Sequence, residues 1–145
     1  MLLVIDFHLL LPKWKYFNLH FLDVDERLVN TACPASQDAA EAVSVLLGGS
    51  HPPTAILSAT TRASLGVVPA LHSAGRTHIG LVSFGDFPMA DSLRPAVTVV
   101  DHPGHEVGRA AAARLLARLG QPGLPVERIQ VPVRIIGRGS GELRP

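Results

Sequence analysis

The sequence predicts an α/β protein in which helices flank a mostly parallel sheet. Three observations predict this class. Strand-like and helix-like segments alternate along the chain, the strand-like segments are short and rich in β-branched residues, and Ala, Leu and Val carry most of an apolar content of 47%. Strands that alternate with helices form parallel sheets, because each crossover returns the chain to the same end of the sheet.

The N-terminal segment differs in composition from the rest of the chain. It holds both lysines, the only Trp, the only Tyr and three of the five Phe residues. We expect Leu2–Ile5 to form a strand. The sharp change in composition predicts that residues 1–21 are an atypical segment, unrelated to the domain that follows.

The apolar run Met1–Leu11 does not have the form of a secretion signal. Its two lysines, Lys13 and Lys15, follow the run instead of preceding it, and no Ala-x-Ala cleavage site is present. No stretch approaches the roughly 20 apolar residues of a membrane span. We therefore expect a soluble, cytoplasmic protein with no membrane partner.

Two helices and a strand are predicted after the N-terminal segment. The helix Asp38–Leu47 has Ser36 as its cap and ends at a Gly-Gly pair. The strand Thr54–Ala59 follows a Pro-Pro pair. The second helix has Thr61 as its cap and runs to Ala74, where a glycine stops it.

The next part of the chain predicts two further strands and the clearest helix. The strands are Ile79–Ser83 and Ala96–Val100, separated by the loop Phe84–Asp91. The helix Glu106–Leu119 has apolar residues on one side and arginines on the other, which is typical of a helix packed on a sheet.

The C-terminal part predicts short closing strands and a loose tail. Arg128–Val133 and Ile135–Ile136 have strand-like composition. The tail Gly137–Pro145 is rich in glycine, so we expect it to fray.

The predicted topology points to one edge of the sheet as the place for a ligand. Ligands on parallel sheets bind at the carboxyl ends of the strands. Two segments follow predicted strands at that edge: Ser58–Thr61 and Phe84–Asp86.

Charge and cysteine content exclude two classes of protein. The formal net charge is +1 without a clustered basic patch, so the chain is not expected to bind nucleic acid by itself. Cys33 is the single cysteine, so no internal disulfide forms. A lone cysteine is compatible with a reducing cytoplasm.

The motifs that would carry catalysis or metal binding are incomplete. After His105-Glu106, a zinc-binding helix would need histidine where the chain has Arg109. Around Ser83, a nucleophile elbow would need glycine where the chain has Leu81. The glycine-rich run 137–141 leads into no helix, so it does not predict a phosphate loop. We therefore expect no catalytic residue, no metal and no cofactor.

A series of segments, taken in order, resembles a known family. Each resembles the corresponding segment of the effector-binding domain of the lac-repressor (LacI/GalR) family, in its C-terminal part. The segments are Pro53–Ile56 with Ser58–Thr61, Leu65-Gly66, Ile79–Ala90, Arg94–Val100, Val107–Ala111 with Leu115-Leu116, and Val131–Ile136 with Arg138–Ser140. The resemblance covers residues 22–142 and leaves 143–145 as a tail.

The resemblance implies a partial periplasmic-binding-protein-like lobe and a regulatory function. In that family two α/β lobes enclose a small effector, a sugar or a nucleoside derivative. The effector shifts the equilibrium between two lobe arrangements, and the shift changes the affinity of an N-terminal helix-turn-helix head for DNA. The resemblance also implies a homodimer, with DNA bound only through a head domain that this sequence lacks.

The resemblance implies five ligand-binding residues. Thr60 and Thr61 occupy the family's Asn-Asp pair, and Gly85 and Asp86 occupy the two Asp positions of its Gly-Phe-Asp-Asp motif, with Phe84 before them. Gly85 therefore lacks the carboxylate that often contacts the effector. A structural role is the alternative for two of them, with Asp86 capping its loop and Thr61 capping its helix.

The parts that have no counterpart here leave other interpretations open. The DNA-binding head and most of the first lobe are missing, so the helix Glu106–Leu119 has no sheet of its own to pack on. A truncated reading frame is therefore expected. A solute-binding protein of the same fold, and a remnant that binds no effector but assembles with another chain, remain alternatives.

Overall fold

A computed structural model describes residues 2–5, 26–31, 33 and 35–143. Strands and helices alternate along the chain, after a short 3-10 helix at Glu26–Leu28. The strands are β1 (Leu2–Ile5), β2 (Val29–Asn30), β3 (Ala55–Ser58), β4 (Gly80–Phe84), β5 (Thr98–Asp101) and β6 (Arg134–Ile136). The helices are α1 (Ser36–Leu47), α2 (Thr61–Ser73) and α3 (Gly104–Gly120).

The strands form one sheet in the order β2-β1-β3-β4-β5-β6. All pairings from β2 to β5 are parallel, and β6 alone runs antiparallel, against β5. The predicted α/β class with a mostly parallel sheet and flanking helices is therefore confirmed. The predicted strand at Leu2–Ile5 is also confirmed, and it pairs with β3 inside the sheet. The rest of the segment 1–21 lies outside the described residues.

The core lies between the sheet and the pair of helices α1 and α2, which pack on each other. Aliphatic side chains fill this interface, with alanines among them where the elements meet closely. Its fully or nearly fully buried members include Ala39, Val43, Ile56, Ala63, Val67, Leu71, Leu81 and Val99. At Gly66 the helices approach so closely that an added Cβ would lie 1.8 Å from the carbonyl oxygen of Ser36.

Both predicted helix caps are wrong by one residue. Ser36 is the first residue of α1, and the cap residue is Ala35, whose N–H donates to the Asp38 carboxylate at 2.9 Å. At α2 the cap is Thr60, whose hydroxyl oxygen accepts the Ala63 N–H at 3.1 Å, whereas Thr61 begins the helix. A cap residue has an extended backbone and the residue after it a helical one. At α2 the adjacent Thr60 and Thr61 both carry hydroxyls, so the sequence does not show which of them is extended.

The C-terminal segment differs from its prediction in two ways. The predicted strand Arg128–Val133 is wrong, since only Arg134–Ile136 pairs with the sheet. The prediction of a frayed tail is wrong for residues 137–142. The Ser140 side chain is buried, donates to the Leu81 carbonyl at 2.6 Å and accepts the Thr98 N–H at 2.8 Å. Glu142 accepts the Thr98 hydroxyl at 2.9 Å, so short polar contacts fix the tail to β4 and β5.

Helix α3 has none of its 17 residues buried. Together with the segment that follows it, the helix forms an arm, residues 104–133, on which Leu116 is 68% and Leu119 70% exposed. This agrees with the expectation that the helix would have no sheet to pack on. None of the helices in the described part of the chain combines the length and apolarity needed to span a membrane.

Candidate functional site

The carboxyl ends of three adjacent parallel strands form the candidate site. Ser58, the last residue of β3, is level with Ser83 of β4, and Ser83 is level with Val99 of β5. The segments after these strands, which begin at Ala59, Gly85 and His102, therefore meet at one edge of the sheet. We call this region the ligand edge. It is the edge at which parallel sheets bind ligands.

Gly85 forms the floor of the ligand edge. Its φ is +96°, a conformation that favours glycine. A Cβ added to it would lie 2.7 Å from the Thr61 methyl carbon and 3.2 Å from Cε1 of His102. The fold therefore brings Gly85, Thr61 and His102 together, although they are far apart in sequence.

An aromatic pair forms one wall of the ligand edge. The rings of Phe84 and His102 are stacked, with centroids 5.2 Å apart and planes 18° from parallel. Phe84 keeps 40% of its surface exposed, although His102 is stacked on it. His102 also lies at this edge, although it was not among the residues predicted to bind a ligand. The rule that selected the segment Phe84–Asp86, position after a parallel strand, would also have selected the segment after β5, which begins at His102.

The two threonines have different environments. The Thr60 hydroxyl oxygen is occupied as the cap of α2. Thr61 is half-buried and turns its methyl group toward Gly85. The structure thus gives Thr60 the capping role that the sequence had suggested for Thr61.

Asp86 makes its contacts with the C-terminal segment. Arg138 donates to both of its carboxylate oxygens, at 2.8 and 2.6 Å, and the Phe87 N–H donates to one of them at 2.9 Å. The Arg138 hydrogen bonds lower the pKa of Asp86 below its ordinary value, against an opposing effect of desolvation. In turn, the Asp86 carboxylate raises the pKa of Arg138. These contacts match the loop-capping alternative for Asp86.

The Asp86–Arg138 pair predicts a specific dependence of stability on pH. Because the pKa of Asp86 is lowered in the folded chain, the pair contributes stability above the ordinary value of 3.8. The contribution is lost as the pH falls through the lower folded-state pKa. We expect the difference in unfolding free energy between the native chain and Asp86→Asn to shrink below that ordinary value. Denaturant titrations at a series of pH values measure it.

The matched control for this pH prediction removes the partner of Asp86. In an Arg138→Gln background, the Asp86 carboxylate has lost both guanidinium hydrogen bonds. We expect the further change Asp86→Asn to alter the unfolding free energy less, and with less dependence on pH, than it does in the native chain. If the unfolding free energies of Asp86→Asn and the native chain differed by the same amount at every pH, the ion pair would contribute nothing measurable, as is common for exposed pairs.

Three buried serines lie directly beneath the ligand edge. The Ser64 hydroxyl is 2.9 Å from that of Ser58 and 2.6 Å from that of Ser83. It also reaches the Thr60 carbonyl at 3.0 Å, and Ser83 donates to the Gly85 carbonyl at 2.9 Å. These hydroxyls hold the backbone of the two loops that form the edge, because each buried polar group requires a partner. Ser83 is thus a support for the loop after β4.

Other candidate groups of the sequence lie away from this edge. Cys33 is buried, and its thiol donates to the Asn30 side-chain oxygen at 3.3 Å. His105 is exposed on α3. Within the described ranges, no three His, Cys, Asp or Glu side chains are grouped so as to hold a metal ion.

Comparison with known proteins gives consistent results. Residues 15–141 match the family described as periplasmic binding protein-like domain. The ribose operon repressor of Escherichia coli (strain K12) is 30% identical over 96 residues, which are 63% of this chain and 29% of the repressor. The chain thus spans less than a third of the length of that relative.

Solved structures match over almost the whole chain. A LacI transcriptional regulator from Bacillus cereus subsp. cytotoxis aligns with a TM-score of 0.83 and 21% identity, covering 99% of this chain and 55% of its own. A LacI family regulator from Enterococcus faecalis with bound ribose aligns with a TM-score of 0.75 and 20% identity, with the same coverage of both chains, 99% and 55%. At such identities the likeness shows the fold.

Proposed function

The chain belongs to the periplasmic binding protein-like domain family, and from this we propose that it is the effector-binding part of a LacI-type transcription regulator. The observation that carries the proposal is the ligand edge itself. Thr61, Gly85, His102 and the partly exposed Phe84 converge where three parallel strands end. The ribose operon repressor, a relative in sequence, supports the regulatory role.

We further propose that the effector is a sugar. A sugar ring has an apolar face that packs on an aromatic ring and hydroxyls that pair with short polar side chains. Phe84 offers a partly exposed ring, the stacked His102 offers ring nitrogens beside it, and Thr61 carries a hydroxyl group at the same edge. The ribose bound to the Enterococcus faecalis regulator of the same fold supports this class. Nucleosides share the ribose unit and belong in the same test.

The domain boundaries of this proposal follow the resemblance. Residues 22–142 are a partial effector-binding domain, 1–21 an atypical segment and 143–145 a tail. The match to the family begins at residue 15 and ends at 141. DNA contact in such a regulator would be made by a head domain outside these 145 residues. The relatives are repressors, so the proposal includes no catalytic step.

Thermal unfolding in the presence of D-ribose, other sugars and nucleosides tests the effector proposal. A ligand that binds only the folded chain raises the midpoint temperature of unfolding. At a concentration of 100 times its Kd, it adds about 2.7 kcal/mol to the unfolding free energy. We expect one sugar to raise the midpoint of the native chain and Phe84→Ala to abolish that rise. Leu65→Ala is the control, because Leu65 is similarly exposed, at 53%, but lies on α2.

The outcomes of this test are distinct. A rise that survives in Phe84→Ala would place the ligand away from the ligand edge. A native chain with a cooperative transition that no sugar or nucleoside moves would contradict the effector proposal.

The exposed arm favours a second candidate function, which is assembly with another copy of the chain. Helix α3 and residues 127–131 enclose an open apolar groove lined by Val107, Leu115 and Ile129. Arg114 holds the two sides together through an ion pair to Glu127 at 3.3 Å and a hydrogen bond to the Pro125 carbonyl. A preformed apolar surface of this kind is typical of an interface.

Light scattering after size-exclusion chromatography tests the assembly. We expect a dimer that Leu115→Gln with Ile129→Gln converts to a monomer, because both side chains line the groove and are largely exposed in the single chain. Val45→Gln is the control, since Val45 is 76% exposed on α1. A native chain that stays monomeric at every concentration would contradict the assembly.

A further inference from the structure

We propose that Arg138 is a positioning residue for the ligand edge, because through Asp86 it fixes the turn at Gly85 and keeps a carboxylate away from the ligand. The inference rests on the proposed function, since it assigns a role in that same site. Arg138 is 52 residues from Asp86 in sequence and does not belong to the ligand edge.

The first step is the geometry of the pair. The Arg138 guanidinium approaches the Asp86 carboxylate with two nitrogens, one for each oxygen. Two parallel hydrogen bonds fix direction as well as distance, which a single contact does not. With the Phe87 N–H also bound, Asp86 is held in one orientation.

The second step is the anchoring of Arg138 itself. Its backbone N–H donates to the Thr98 hydroxyl at 3.0 Å, and its side chain is only 17% exposed. Ser140, two residues further, is buried and bound to both β4 and β5. The guanidinium therefore projects from a fixed part of the sheet, and a fixed donor can position a loop.

The third step links Asp86 to the ligand edge. Asp86 directly follows Gly85, whose N–H donates to the Val100 carbonyl at 2.8 Å and whose carbonyl accepts the Ser83 hydroxyl. Gly85 thus has one support at its N–H and one at its carbonyl, and the Asp86–Arg138 pair adds a third support at the next residue. Loss of that pair should loosen the turn at Gly85 first.

The pair also has an electrostatic consequence. Asp86 is partly exposed and directly follows Gly85, which forms the floor of the ligand edge. Without Arg138, an unpaired carboxylate would remain one residue from the floor of the site. Such a charge is free to turn toward the ligand and to form contacts that compete with binding.

Three variants separate positioning from general stability: Arg138→Gln, Arg138→Lys, and Arg138→Gln combined with Asp86→Asn. The first readout needs no ligand. It is the exchange rate of the Gly85 amide, compared with the Gly80 amide, which donates to the Thr54 carbonyl at the other end of β4. We expect Arg138→Gln to raise the exchange rate of the Gly85 amide about tenfold, because the loss of one charge-assisted hydrogen bond changes an opening equilibrium by about that factor. Arg138→Lys should raise the rate less, because lysine keeps the positive charge. Gly80 exchange should stay as in the native chain.

The second readout is the Kd for D-ribose, or for whichever sugar raises the native midpoint. We expect Arg138→Gln to weaken binding about tenfold, and the double variant to recover part of the loss because its residue 86 is neutral. Equal changes at Gly85 and Gly80, or none at Gly85, would overturn the positioning role. Unchanged Kd in Arg138→Gln, or no recovery in the double variant, would overturn the electrostatic role. A native chain that binds no sugar would contradict the proposed function, while the exchange rates would still decide whether Arg138 positions Gly85.

Discussion

Gly66→Ala is expected to lower the unfolding free energy by about 3 kcal/mol, at the upper end of the cost of overpacking a core. The added Cβ would lie 1.8 Å from the carbonyl oxygen and 2.7 Å from the carbonyl carbon of Ser36. Both atoms belong to the backbone at the start of α1, so no side-chain rotation relieves the overlap. The helices must separate, and the core between them and the sheet loses its close packing. Denaturant titration of the two chains measures the difference.

Gly108→Ala is the matched control for this prediction. Gly108 is also inside a helix, but an added Cβ there meets nothing within 4 Å. Alanine is favoured over glycine in a helix by up to about 1 kcal/mol, so this variant should be as stable as the native chain or slightly more so. A Gly66→Ala chain that matched the Gly108→Ala chain in stability would show that α1 and α2 do not pack as closely as described.

Gly85→Ala is the second substitution with a large expected effect, about 3 kcal/mol from two additive causes. The first is the backbone, because a φ of +96° is unfavourable for any residue with a Cβ. The second is the contact with the Thr61 methyl group, 2.7 Å from the added carbon. We also expect the loss of any ligand-induced rise in the unfolding midpoint, since the added methyl group fills the floor of the ligand edge.

The two causes can be separated with a second substitution. Thr61→Ser removes only the methyl group and keeps the hydroxyl. Combined with Gly85→Ala, it should restore about half of the lost stability, the part due to the clash, and leave the cost of the backbone. Recovery of all of the loss, or of none of it, would show that one of the two causes is absent.

The order of strands and helices was predictable from the sequence because its signals are local. The short apolar runs at 55–58, 80–84 and 98–101 each lie between turn residues, and α1, α2 and α3 show helical periodicity. The alternation itself implied the parallel sheet. The family resemblance rested on the same segments, and the comparisons confirm it.

The two wrong predictions in the C-terminal segment have a common physical origin. In both, contacts with residues distant in sequence decided the local structure. The glycine-rich composition of 137–141 indicated fraying, yet Ser140 is buried because β4 and β5 present a carbonyl and an N–H to it. Arg128–Val133 has the composition of a strand, but it pairs with none of the strands in the described part of the chain. Local propensity cannot reveal whether a partner is present.

The candidate site divides in the same way. The rule of carboxyl ends selected the segments Ser58–Thr61 and Phe84–Asp86 from the sequence, and the structure places both at one edge of the sheet. Within these segments, the family resemblance singled out Thr60, Thr61, Phe84, Gly85 and Asp86. Their individual environments were not predictable. The contact of Gly85 with His102 and the pairing of Asp86 with Arg138 join residues that are 17 and 52 positions apart.

The sequence by itself thus determined the α/β class and the positions of the helices and most strands, because periodicity and turn residues act over a few positions. Through the order of these elements, it also pointed to the edge of the sheet that we propose for a ligand. The tertiary structure decided that Thr60 caps α2, that Arg138 pairs with the Asp86 carboxylate, and that Phe84 and His102 stack beside the site. Those features depend on distances between segments that only the assembled sheet brings together. The sheet also decided that α3 stays exposed, since the described chain offers no second layer to cover it.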